Sequence, residues 1–277
     1  MGLRINTNVS SIGAQRSLAN TKLNLDNNLR KLSSGERVSR ASDDAAGLAI
    51  SEKLKSSIRS FKQAKRNAND GISMIQTSEG ALSEVSNIII RLRELAVQAA
   101  SDTVGDKERA FSDIEFQQLK NEVERISKST EFNGIKLLDG TGGILEFQVG
   151  AHNDPLLDRI QYDGSRIDTT SQSLGIGDET VSGKLGAQTS LRVLDDALIR
   201  VNGMRADLGA TQNRLSSVVN TLDITDENLS AANSRIRDVD IASETAALSS
   251  NNILLQAGTA VLAQANQRPN IALKLLE

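Results

Sequence analysis

The chain of 277 residues has no cysteine and no tryptophan, one tyrosine, one histidine and two prolines. Without cysteine, disulfides and thiolate metal sites are excluded, so the fold must be held by packing alone. Aromatics supply only 2% of the residues. The interior is therefore left to Leu, Ile, Val and Ala, which suits thin helix-on-helix layers better than a thick globular core. There is no apolar run near the roughly 20 residues a bilayer span requires. Arg4, Asn6, Thr7 and Asn8 stand where a signal peptide would carry its apolar segment, so neither membrane insertion nor classical secretion is expected. The net charge is −3. Lys and Arg are scattered among acids with no interleaved aromatics, so no nucleic-acid partner is expected.

Catalytic patterns are missing as well. His152 lies among turn residues with no second His or Cys close by in sequence, so neither a zinc pair nor a Ser/His/Asp triad can be built on it. Asp43 with Asp44 and Asp195 with Asp196 are adjacent pairs, which point to different sides of a helix. The glycines of Gly175–Gly186 (GIGDETVSGKLG) do not have the spacing of a phosphate-binding loop and read as a turn. The expectation is a protein without catalytic residues, cofactor or metal.

What is abundant is helical periodicity. Leu194, Val201, Leu208, Leu215, Leu222, Leu229 and Ile236 recur one heptad apart with no proline among them, the signature of a coiled-coil seam. From Leu191 to Ile236 a helix spans roughly 70 Å. The second seam position is mixed, with Leu191, Leu198 and Val219 alongside Arg205, Gln212, Asp226 and Asn233, so the stripe is narrow and specifies register. Leu54, Ile58, Phe61, Ala68, Ile72, Ile75, Leu82, Ile89 and Ala96 predict a second long helix as its partner. Ser42 and Asp43 are its expected N-caps, with Asp44 in the first turn. A third helix is expected to start at a capping Asp106, with Phe116, Leu119, Val123 and Ile126 as its apolar face.

The middle is different in kind. Half of the 20 glycines fall between Gly134 and Gly186, together with Pro155. Ile144–Val149 alternates with period two and Asp158–Tyr162 offers a second run, which predicts a small β-hairpin region. At the ends, Ile5, Val9, Ile12, Leu18, Leu25, Leu29 and Leu32 are read as one face. Leu254, Leu255, Val261, Leu262, Leu273, Leu275 and Leu276 leave much apolar surface in a tail with few charges. Short isolated helices are marginal in water, so these ends are expected to order against each other or against neighbouring molecules. The fold class is mainly α: a long antiparallel helical coiled-coil rod with a small β-hairpin region, and terminal helices forming an inner coiled coil on assembly. The expected domains are an inner one from 1–41 and 241–277 and a rod one from 42–186 and 187–240, with the hairpin region at about 134–176.

LSSGERVSRASDDAAGLAIS (Leu32–Ser51), RNANDGIS (Arg66–Ser73), TSEGAL (Thr77–Leu82), RELAVQAA (Arg93–Ala100), EFNGIKLL (Glu131–Leu138) and AGTAVLAQANQ (Ala257–Gln267) together resemble bacterial flagellin. The resemblance extends over nearly the whole chain, with the segments in family order. It implies a structural subunit that polymerises into the flagellar filament for swimming motility. The terminal segments would be the inner, D0-like layer and the long helices with the hairpin the outer, D1-like layer. Inner-layer polymerisation would rest on Ile5, Val9, Ile12, Leu254, Leu255, Val261, Leu262, Leu273, Leu275 and Leu276. The family's outer variable domains are reduced to the linker around Gly177–Gly183, which implies a thin, smooth filament. Further implied are export without a cleaved signal peptide through the flagellar type III apparatus, an export chaperone, cap and junction proteins as partners, and an extracellular location. Recognition by the animal Toll-like receptor for flagellin would use Arg91, Leu95 and Glu115, with Ile90 standing where the receptor-active pattern has Gln. The alternatives are a hook–filament junction protein and, from a different class, a secreted coiled-coil adaptor or effector that stays monomeric. An enzyme-bearing flagellin needs a catalytic insert, which so short a linker cannot hold.

Overall fold

The structure, a computed structural model, describes residues 7–274, with side chains as far as Gln267. In chain order it comprises α1 (Val9–Ser34), α2 (Ala45–Ala99), α3 (Asp106–Ser129), β1 (Glu131–Phe132), β2 (Ile135–Lys136), β3 (Ile144–Gln148), β4 (Arg159–Asp163), α4 (Lys184–Arg237) and α5 (Ile241–Lys274). The mainly α architecture expected from the heptads is the one found. The chain divides into two compact units, residues 57–227 and residues 1–56 with 228–277.

The 57–227 unit is built on α2 and α4 running antiparallel. On α2, Ala64, Ala68, Gly71, Ile75, Ser78, Leu82, Val85, Ile89, Leu92, Ala96 and Ala99 are buried, alternating by threes and fours without a break. Sequence pattern names Ala68, Ile75, Leu82, Ile89 and Ala96 of this stripe; it omits Ala64, Gly71, Ser78 and Ala99, whose small side chains carry little apolar signal, and also Val85 and Leu92, which complete the three-four alternation. On α4, Leu194, Val201, Leu208, Leu215 and Leu222 are buried. The second seam position stays half-buried throughout, and its polar members reach α2: Arg205 pairs with Glu79 at 3.7 Å and Asp226 with Lys62 at 3.7 Å. Arg93–Asp195 at 2.6 Å and Lys65–Asp223 at 2.5 Å lie beside the same seam. Such pairs add little stability when exposed, but they fix which residues face one another.

Two shorter elements close the apolar seam of this unit. Phe116 and Val123 of α3 are fully buried in the same core as Leu82, Ile89 and Leu208. α3 runs back beside α2, with Arg109 reaching the Ala99 carbonyl (2.8 Å) and Glu115 reaching Arg91 (2.9 Å). Below α3 the β3–β4 hairpin takes over, with Ile144 opposite Asp163 and Gln148 opposite Arg159. Its Phe147 ring packs on Gly71 so closely that an added Cβ would lie 3.1 Å from the ring. The Asn67 side chain donates to the Gln148 carbonyl (3.0 Å). A second hairpin, β1–β2, turns at Asn133 and Gly134, both with positive φ (49° and 80°). That Asn-Gly pair supplies the two positive φ values that a tight two-residue hairpin turn requires.

The helix starts differ from expectation. Asp44 caps α2, its Oδ1 accepting the Gly47 N–H at 2.8 Å. Asp43 instead accepts the N–H groups of Ser39 (3.2 Å) and Arg40 (3.0 Å), closing the preceding turn. Ser42 has neither role. Asp106 is the first residue of α3, not its cap. The cap is Gly105, and Asp106 holds Arg109 at 2.7 Å while that guanidinium also binds the Ser101 carbonyl at 2.9 Å. Arg109 thus satisfies carbonyls left open at the end of α2.

In the unit formed by residues 1–56 and 228–277, α1 and α5 pair antiparallel. The chain passes between helices through Arg37 and Val239, whose N–H groups donate to the carbonyls of Arg237 (2.6 Å) and Gly35 (3.0 Å). Ser51 donates to Asn233 (2.9 Å), and Arg237 pairs with Glu36 (2.8 Å) and Glu52 (2.5 Å). Leu229 and Ile236, the last two seam positions, belong to this unit and are half-buried.

Candidate functional site

The α1–α5 pair carries the first candidate surface. Along α1 the positions turned to α5 are Ser11, Ala14, Leu18, Thr21, Leu25, Asn28 and Leu32; along α5 they are Glu244, Leu248, Asn251, Leu255, Gly258, Leu262 and Ala265. Both are heptads, and both are largely small or polar. Asn8 caps α1 by accepting the Ser11 N–H (3.1 Å) while its amide donates to the Ala265 carbonyl (2.8 Å). Ser11 donates to Asn266 (2.7 Å). Asn28, with its side-chain amide turned to suit its neighbours, donates to the Asn24 carbonyl at 2.7 Å and accepts from Asn251 at 3.3 Å. Polar contacts of this kind select register rather than strength.

The larger apolar residues of the pair point elsewhere. Val9, Ile12, Leu23 and Leu29 on α1 and Ile241, Ile253, Leu254 and Val261 on α5 are exposed. The single apolar face read for the N-terminal segment is thus two faces: Leu18, Leu25 and Leu32 meet α5, while Val9, Ile12 and Leu29 look outward. Leu255 and Leu262 are half-buried against α1, one residue round the helix from exposed Leu254 and Val261. Ile5, Leu275 and Leu276, and the side chain of Leu273, lie outside the described residues.

The second candidate surface lies on α2 and α3. Arg91 donates to Glu94 and to Glu115, each at 2.9 Å, and these bonds, Glu94 first, raise its pKa. Leu95, expected beside them, is only 2% exposed and belongs to the core. Position 95 falls on the α3 side of the α2 stripe, so its side chain is covered. The structure therefore brings Arg91 and Glu115 together at the surface and leaves Leu95 beneath. Ile90, Val97, Phe111 and Ile114 are exposed on the same two helices.

The linker is held down by α3, which sequence did not reveal. Asp113 accepts the Val181 N–H (2.8 Å), and Lys120 donates to the carbonyls of Gly177 (2.7 Å) and Glu179 (2.8 Å). Burial lowers the Lys120 pKa. Glu124 accepts the N–H (2.8 Å) and hydroxyl (2.6 Å) of Ser171. Lys128 first, then these Ser171 bonds, hold the Glu124 carboxyl down at about 2. Charged residues spaced along one face of α3 were legible, but their partners are backbone atoms of a distant loop.

His152 sits exposed in the β3–β4 connection, where its carbonyl accepts from Gln148 (2.7 Å). Among the described residues no three His, Cys, Asp or Glu side chains cluster as metal ligands, and no helix is long and apolar enough to cross a membrane. The arrangement offers surfaces for other protein chains.

Comparison with known proteins bears on which chains. Residues 5–142 match the bacterial flagellin N-terminal helical region and residues 191–276 the bacterial flagellin C-terminal helical region. A flagellin of Halalkalibacterium halodurans is 46% identical over 275 residues, covering 98% of this chain and 99% of its own. The chain belongs to the bacterial flagellin family. A flagellin of Bacillus subtilis is 42% identical over 306 residues, covering 99% of this chain and 100% of its own. The crystal structure of Bacillus cereus flagellin superposes with a TM-score of 0.51 at 34% identity, over 57% of this chain and 88% of that one. This flagellin is a structural subunit of the flagellar filament. Identity over the full length favours that reading over a hook–filament junction protein or an adaptor. The family is a structural one and its filament lies outside the cell.

Proposed function

We propose that the α1–α5 pair forms the inner layer of a helical homopolymer and the 57–227 unit its outer layer. One observation carries this reading: α1 and α5 meet through small and polar residues while turning Val9, Ile12, Leu254 and Val261 outward. Exposed apolar side chains along both helices of a pair are surface that a second copy can remove from water, each contributing about 1.5–3 kcal/mol when fully buried. Leu255 and Leu262 act within the pair, and Ile5, Leu273, Leu275 and Leu276 are assigned to polymerisation by the resemblance alone.

The test is a pair of variants one residue apart. Leu254→Ser with Val261→Ser leaves the circular dichroism and melting of the monomer unchanged and abolishes filaments in salt-induced assembly, read by sedimentation and electron microscopy. Leu255→Ser lowers monomer helicity as well. Wild-type filament yield from the Leu254→Ser/Val261→Ser chain overturns the layer assignment.

The resemblance also carries an export chaperone, cap and junction proteins as partners, and export without a cleaved signal peptide. For the animal Toll-like receptor, the surface available on the folded monomer is Arg91 with Glu115, supported by their mutual ion pair. Arg91→Ala or Glu115→Ala lowers receptor activation by the monomer; unchanged activation by the folded double variant refutes the assignment.

A further inference from the structure

The dipeptide Asn-Gly occurs twice in the chain, as Asn133 with Gly134 and as Asn202 with Gly203. Both pairs are exposed, and a Cβ added to either glycine would meet nothing within 4 Å. Their backbones differ. Asn133 and Gly134 make up the whole turn between β1 and β2, with positive φ at both residues. Among the described residues the Gly134 N–H has no acceptor and the Asn133 carboxamide makes no hydrogen bond. Asn202 and Gly203 lie within α4, directly after fully buried Val201. There the Gly203 N–H belongs to the helical ladder.

An asparagine followed by glycine can lose its side-chain amide to its own backbone, because no Cβ on the glycine shields the attacking nitrogen. The glycine N, giving up its proton, bonds to the Asn Cγ; the bond from Cγ to the side-chain nitrogen breaks, and that nitrogen leaves with the proton as ammonia. A cyclic imide remains. Water then adds to one of its two carbonyls and opens the ring to aspartate or, with the main chain rerouted through the side chain, to isoaspartate. The reaction needs only this chain and water, and it takes place in the monomer.

Ring closure draws Cγ onto the glycine nitrogen, so the local structure must first open. β1 and β2 have two residues each, and a hairpin so short holds little stability of its own. Its far side is anchored separately: the Leu138 carbonyl accepts the Ser127 hydroxyl (2.9 Å) and the Thr169 N–H (2.8 Å), and Leu137 and Leu138 are buried. The turn can therefore open without disturbing the core. Freeing Gly203 would instead break α4 beside its packed seam. The Asp-Gly pairs, which can cyclise by the same route, are restrained too: Gly71 lies within α2, and the N–H groups of Gly140 and Gly164 donate to the carbonyls of Ile167 (3.2 Å) and Gly143 (2.8 Å).

We propose that Asn133 is a site of spontaneous deamidation, whose isoaspartyl product accumulates with the age of the molecule. Isoaspartate adds a methylene to the main chain of a turn that has no length to spare. The pairing of Phe132 with Ile135 and the Lys136–Glu131 ion pair (2.6 Å) across the hairpin are then lost, while Leu137 and Leu138 stay buried.

The test ages purified full-length protein at mildly alkaline pH, folded and in urea. Peptide mass spectrometry follows the gain of one mass unit at each Asn-Gly pair, and isoaspartyl-specific enzymatic carboxyl methylation counts the rearranged product. In the folded chain Asn133 converts at least tenfold faster than Asn202, whereas in urea the two convert alike. Asn133→Gly keeps a turn-forming pair; it removes the isoaspartyl signal and leaves the monomer melt unchanged. Equal conversion of the two sites in the folded chain overturns the assignment. So does an Asn133 still intact after about ten times the period that converts it in urea, or an isoaspartyl signal that survives Asn133→Gly.

Discussion

Neutralising Glu124 tests whether the linker is clipped to α3. The carboxylate receives the Ser171 N–H and hydroxyl and the Lys128 ammonium at 2.8 Å, and its pKa falls from an ordinary 4.5 to about 2. The folded pKa lies below the unfolded one, so the carboxylate stabilises the fold fully above pH 4.5, and that contribution is lost as pH falls toward 2. At 1.36 kcal/mol per unit the shift would correspond to about 3 kcal/mol. The side chain is 30% exposed and Lys128 is more so; screening brings the expected contribution to about 1–2 kcal/mol. For a unit of this size that corresponds to a melting shift of roughly 2–8 °C. Glu124→Gln keeps the shape and removes the charge. At pH 7 it melts lower than wild type by that amount, and near pH 2 the two curves converge. Proteolysis between Ser171 and Val181 accelerates in the variant at pH 7, because the Ser171 anchor is weakened while those at Lys120 and Asp113 remain. A melting difference that stays constant from pH 7 to pH 2, or grows in acid, refutes the assigned cause.

Two further predictions concern the core of the same unit. Leu215 is fully buried in the seam and Ile224, on the same helix, is exposed, so Leu215→Ala costs about 3–5 kcal/mol and Ile224→Ala less than about 0.5 in denaturant unfolding of the monomer; equal losses would show that the heptad is not the packing seam. Tyr162, the one tyrosine, is buried with its hydroxyl beside the Ser78 side chain, and burial pushes its pKa up to about 12. With no tryptophan present, the tyrosinate absorbance near pH 12 reports this residue alone. Since the unfolded phenol ionises near pH 10, its stabilisation is complete below pH 10 and lost as pH rises toward 12. Tyr162→Phe removes that alkaline loss and changes neutral stability by no more than about 1 kcal/mol; titration near pH 10 in the folded monomer would contradict the burial.

How far the sequence could be read depended on side-chain size. Large apolar residues at heptad spacing located both long helices, and Leu194 through Leu222 are buried as their period requires. The same logic failed where packing uses small side chains. Gly71 is buried because the Phe147 ring needs that space, and nothing local in a helix announces a ring arriving from a distant strand. Likewise, reading Val9 with Leu18 as one face assumed that the larger residues turn toward the partner helix, whereas Ser11, Ala14, Thr21 and Asn28 occupy much of that face. Helix starts were misplaced by one or two residues, since neighbouring aspartates compete for the same orphan N–H groups and only geometry decides which wins. Leu95 was assigned by family position. Its covering by the core follows from where α3 lies, which motif spacing does not encode.

The contrast between the two helix pairs gives the chain its division of labour. In α2 with α4, apolar residues face inward and α3 and the hairpin cover them, so this unit holds its own core. In α1 with α5, the facing positions offer a few half-buried leucines separated by Ser, Thr, Asn and Gly. Half-burying a leucine returns about 1 kcal/mol, while ordering each backbone residue costs about 1–2 kcal/mol. An isolated pair therefore has little margin. What it does have is specificity, since Asn8 with Ala265, Ser11 with Asn266 and Asn28 with Asn251 are satisfied together in one antiparallel register. Turning the larger apolar residues outward sacrifices stability in the single chain and, under the layer assignment proposed above, keeps that surface available for neighbouring copies. Filling Ser11 and Asn28 with leucine would make a tighter monomer, but it would also remove the polar contacts that fix register, and helices free to slip by a turn present Val9, Ile12, Leu254 and Val261 at the wrong height to every neighbour.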